Sequence, residues 1–121
     1  MLELYSESIS DEQINELRNV CRAVFIARDM VNEPLIALTA EELAHRTIEL
    51  GREKGFQVTV FDKNKITELK MGGLLAINKG SLNPPTFTIL NYKPEKAKNS
   101  KPLVLVGKGV VFDTGGLSLQ P

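Results

Sequence analysis

The sequence has no tryptophan, one cysteine and one histidine in 121 residues. The lone Cys21 excludes an internal disulfide, which fits a reducing compartment, and we read the chain as cytoplasmic. His45 alone excludes a histidine-rich metal site. Aromatic residues make up 6%, so no row of stacking platforms for bases is present. Fifteen basic side chains against fifteen acidic ones leave no electrostatic footprint for nucleic acid. No apolar run reaches the ~18 residues of a membrane span, and the N-terminus has no basic region leading into an apolar core. Nucleic-acid binding, membrane insertion and disulfide scaffolding are therefore all disfavoured. What remains is the composition of an ordinary globular protein, 42% hydrophobic and 25% charged. The length fits one domain of the usual ~100–150 residues.

Residues 1–9 carry too little apolar pattern to pack alone and read as a linker or tail. Ser10 and Gln13 match a capping box, and Asp11 and Glu12 suit the positive end of a helix dipole. Ile14, Leu17, Cys21, Val24 and Val31 then recur at helical spacing, interrupted by Arg28. Cys21 on that stripe reads as a small core residue in preference to a nucleophile. Asn32-Glu33-Pro34 ends the helix, because the residue before proline is pushed out of the α region. Thr39, with Glu42 as partner, caps a second helix that runs to about Lys54 and stops at Gly55. His45 on that helix has charged neighbours and reads as a surface or boundary residue.

Phe56 to Phe61 alternates and is rich in β-formers, which predicts a strand. Asp62 or Asn64 caps a short helix through Ile66 and Leu69, ended by Gly72-Gly73. Leu74 to Ile77 reads as the next strand, Thr86 to Tyr92 as a third, and Leu103 to Val106 as a fourth, buried on both faces. Between the last two, four lysines, Pro94 and Asn99-Ser100 read as an exposed loop. The fold class is α/β with a mixed sheet, since the later strands follow connections short enough for antiparallel neighbours. The chemistry-bearing loop arrives at the end with no element after it to brace it, the pattern expected of part of a larger domain.

That loop is Gly107-Lys108-Gly109-Val110-Val111-Phe112-Asp113-Thr114-Gly115-Gly116. It sets a lysine and a carboxylate at the ends of apolar segments, within a glycine frame that permits tight backbone. Ligands in α/β proteins bind at the carboxyl ends of buried strands. The plain alternative is two solvated loop charges. A phosphate loop lacks its upstream glycine here. Val111-Phe112-Asp113-Thr114-Gly115 also has the pattern of an aspartic protease half-site, although those enzymes are almost wholly β. The third chemistry is a metal site. Asp113 is a hard oxygen ligand, and Lys108 can ligate as a neutral amine. One carboxylate and one amine cannot hold two metals, so further carboxylates have to come from beyond Pro121.

The stretch from Val106 to Leu119 resembles the first metal-binding segment of the leucyl aminopeptidase family, two-metal cytosolic exopeptidases. Val31-Asn32-Glu33-Pro34 is similar to that family's Asn-x-Pro segment. Met71-Gly72-Gly73-Leu74-Leu75-Ala76-Ile77-Asn78-Lys79-Gly80-Ser81, followed by Pro84-Pro85, is similar to its Met-Gly…Lys-Gly-Ser…Pro-Pro stretch. The likeness covers about residues 12–121, in order.

This resemblance implies a partial three-layer α/β/α fold, with residues 10–121 as the N-terminal part of a catalytic domain. It implies that Lys108 ligates one of two divalent ions (Zn²⁺ or Mn²⁺) and that Asp113 bridges the pair. It further implies peptide substrates with a free N-terminus and a homohexameric parent enzyme. Gln120 occupies the position of the family's usual lysine, which helps to stabilise the oxyanion, and a glutamine brings no charge there. The expected function is that of a fragment of a metallo-aminopeptidase, inactive as the isolated chain and self-associating through its uncovered apolar segments. The alternative is a non-catalytic binding or assembly module built on the same half-fold.

Overall fold

The computed structural model describes residues 8–34 and 36–110. The chain divides into two units, Met1–Pro34 and Leu35–Pro121.

The first unit is built on helix α1, Asp11–Asn32. Its start is dictated locally. The Ser10 hydroxyl accepts from the Gln13 N–H at 3.3 Å, and the Gln13 side chain accepts from the Ser10 N–H at 3.0 Å. This reciprocal capping box satisfies two donors that the helix leaves orphaned. Its end is equally local: Glu33, held extended at φ −69°, ψ 141° before Pro34, cannot continue the helix. No residue of α1 is buried, and Leu17, Val20, Val24, Phe25 and Val31 are all exposed. Cys21, expected in a core, is exposed as well. The periodicity created the stripe, but a stripe becomes a core only when another apolar surface covers it.

The second unit begins with helix α2, Ala40–Lys54. The Thr39 hydroxyl accepts from the Glu42 N–H at 3.2 Å, a cap worth about 1 kcal/mol. The Glu42 side chain does not return to the cap. It accepts from Arg46 Nε at 2.7 Å, one helical turn on. Gly55 closes the helix in the left-handed region at φ 77°, where the Gly51 carbonyl accepts from both the Gly55 and the Phe56 N–H.

Strand β1, Gln57–Phe61, follows at once and packs on α2 at Gly51. A Cβ at Gly51 would lie 2.6 Å from Val58 Cγ2 and 2.8 Å from the Phe56 carbonyl oxygen, so only glycine admits so close an approach. Helix α3, Lys63–Glu68, is capped by Asp62, whose carboxylate accepts from the Lys65 N–H at 2.8 Å. Ile66 on α3 is fully buried and, with Leu38 and Ala44, forms the apolar core.

The end of α3 differs from expectation. The chain turns at Lys70, in the left-handed region at φ 55°, and not at Gly72-Gly73. The Lys70 N–H donates to the Thr67 carbonyl at 3.0 Å, and the Met71 N–H donates to Ile66 at 3.1 Å. That pair of bonds is a Schellman motif, with a lysine where glycine is usual. Gly72 and Gly73 instead open helix α4, Gly72–Asn78. Leu74 to Ile77, expected as a strand, is therefore helical. An apolar run of four has no periodicity to separate the two, and three of its residues are Leu or Ala, good helix formers.

After the turn through Ser81 and Asn83, strand β2, Phe87–Asn91, pairs antiparallel with β1. The register sets Phe61 opposite Phe87, and their rings stack at 6.0 Å between centroids. At the entrance to β2, the Thr86 hydroxyl donates to the Ala40 carbonyl at 3.1 Å, joining the strand to the start of α2. The class is α/β, with a small two-stranded antiparallel sheet among the described residues. Residues 93–101 are exposed, as expected. Leu103 to Val106, expected as a doubly buried strand, forms no strand and is 72–93% exposed. Its apolar residues meet no strand edge here, and an isolated β-segment has no ladder to join.

Candidate metal centre

Lys108 is the candidate ligand that the described residues contain. It follows Gly107 in the irregular stretch after the lysine-rich loop and is exposed. The stretch approaches α2 at its next residue. A Cβ at Gly109 would lie 3.9 Å from Leu43 Cδ2 of α2, an ordinary van der Waals contact. Val110 beyond it is 41% exposed, about half the exposure of Val106 at 93%. The loop thus enters its chemistry-bearing part beside the N-terminal half of α2. Asp113 and Gln120, the other two site residues expected from the sequence, lie outside the described residues.

An amine ligates a cation only as the neutral base, a form favoured by burial and by the cation's own charge. The Lys108 side chain is open to solvent. Among the described residues no group of three or more His, Cys, Asp or Glu side chains converges on one point. His45 points into solvent, 64% exposed, with Glu49 3.9 Å away on the next turn of α2. It is the surface residue expected of it. Two ions with four or more ligands each need more donors than one amine and one carboxylate. The donors described here do not by themselves fit a two-metal centre.

The other segments singled out in the sequence are structural in their visible contacts. Val31 to Pro34 carries the last turn of α1 and its stop. Met71 to Ser81 contains α4 and the turn after it. There the Asn78 carbonyl accepts from the Ser81 N–H at 2.9 Å, and its side-chain amide donates to the Asn83 carbonyl at 2.9 Å. The Ser81 hydroxyl accepts from the Asn83 N–H at 3.2 Å. Asn78 therefore binds the Lys79-Gly80-Ser81 turn from both ends. Sequence reading missed that role, although an Asn directly before a Lys-Gly-Ser turn is the signal for it. Pro85 is buried at the approach to β2.

The profile described as "Cytosol aminopeptidase family, catalytic domain" matches residues 25–121. A probable cytosol aminopeptidase of Chlorobaculum parvum is 65% identical over 95 residues, which is 78% of this chain and 19% of that protein. Its counterpart in Chlorobaculum tepidum is 64% identical over the same 78% and 19%. One from Desulfovibrio desulfuricans is 50% identical over 103 residues, 85% of this chain and 21% of that protein. The chain thus spans about a fifth of the length of the curated relatives it matches. No solved structure matches it. With a catalytic-domain match over residues 25–121 that takes in Lys108, Asp113 and every described element from α2 onward, the chain belongs to the cytosol aminopeptidase family.

Proposed function

We propose that residues 10–121 are the N-terminal part of the catalytic domain of a metal-dependent aminopeptidase, which removes N-terminal amino acids from peptides in the cytoplasm. The observation that carries this reading is the family match running through the Gly107–Gly116 loop. On this reading Lys108 would hold one of two divalent ions, Zn²⁺ or Mn²⁺, and Asp113 would be shared between them; such a pair would supply polarisation of a scissile carbonyl and activation of a water. The chain's own contribution is one amine, Lys108, and one carboxylate, Asp113, in a glycine-rich sequence. The remaining carboxylates belong to sequence beyond Pro121. The parent enzyme is a homohexamer, and this chain alone is inactive and self-associates. Cytoplasmic residence agrees with the single exposed thiol. No described helix is long and apolar enough to cross a membrane.

The test is direct. The purified 121-residue chain should bind Zn²⁺ or Mn²⁺ weakly by calorimetry, should lose that binding in a K108M/D113N variant, and should not release leucine from a leucyl amide. Chelator-sensitive leucine release by the chain alone would overturn the assignment of the missing ligands. A second reading is a non-catalytic binding or assembly module built on the same half-fold. The coding sequence after the Pro121 codon separates the two. Continuation into Asp- and Glu-bearing motifs supports the enzyme, and an immediate stop supports the module.

A further inference from the structure

We draw no further inference here: the strongest candidate, the exposed apolar stripe of Leu17, Val24, Phe25 and Val31 along α1, carries nothing because its seam is broken by Arg28 and nothing in the structure shows what covers it.

Discussion

Replacing Gly51 by alanine sets two opposing terms against each other, and the geometry decides between them. Gly51 lies inside α2, where an alanine gains about 1 kcal/mol of helix propensity. A surface helix would simply be stabilised. Here the new Cβ would sit 2.6 Å from Val58 Cγ2 and 2.8 Å from the Phe56 carbonyl oxygen. Neither neighbour yields cheaply. Valine is stiff about its first side-chain torsion, and the Phe56 backbone is tied to Gly51 by its own N–H, at 3.1 Å. Relief therefore requires α2 and β1 to separate, an overpacking cost of roughly 1–3 kcal/mol. The net expectation is a loss of about 0–2 kcal/mol, centred near 1. For a domain of this size each kcal/mol lowers Tm by about 4–8 °C. Thermal unfolding followed by far-UV circular dichroism reads this directly. Val58→Ala removes one of the two obstacles, so G51A should cost less in a V58A background than alone, a positive coupling in a double-mutant cycle. A G51A chain with a raised Tm would refute the close approach of helix and strand.

Lys70→Gly should stabilise the chain by about 0.5–1 kcal/mol. The left-handed backbone costs a non-glycine residue ~1–2 kcal/mol, and glycine's extra freedom in the unfolded state returns ~0.4–1. A fall in the denaturation midpoint would mean that the lysine side chain contributes more than its backbone costs. In a protein of the relatives' full length, Gln120→Lys should raise kcat by up to about 10²-fold, with little change in metal affinity, because a cation at a developing oxyanion acts mainly in the transition state. An unchanged kcat would mean that another group already serves there. Sedimentation velocity should show concentration-dependent association of the 121-residue chain, relieved by V104K at the centre of the exposed Leu103–Val106 run. A monomer at all concentrations would remove that segment as the cause.

The starts of α1, α2 and α3 were legible because caps are local. Ser10, Thr39 and Asp62 each announce themselves by an oxygen placed three residues before the N–H they satisfy. Gly55 was legible for the same reason. What escaped was set by neighbours distant in sequence or by competition between adjacent signals. Leu74 to Ile77 and Leu103 to Val106 look alike as apolar quartets, yet one is helix and the other neither helix nor strand. Whether such a run pairs depends on an edge supplied from elsewhere. The stop after α3 was misplaced by two residues because Gly72-Gly73 is the louder signal and Lys70 carries none. For the candidate site, the sequence offered Lys108 and Asp113 by residue type and spacing, while the exposure of Lys108 is set by the surrounding fold.

The β1–β2 pairing also has a consequence in time. The register joins Gln57 to Asn91, about 34 residues later (91 − 57), with α3 and α4 in between. At the usual ~5–20 residues per second of synthesis, β1 leaves the ribosome roughly 2–7 s before its partner exists. For that interval its edge is an open template for any passing strand. Of the five residues that must wait, Gln57 and Thr59 are polar and alternate with Val58 and Val60, and Phe61 is followed at once by the charged pair Asp62 and Lys63. Such charges discourage aggregation at the flank of an unavoidable apolar strand. The cap that begins α3 thus also guards a nascent strand until β2 arrives to close it.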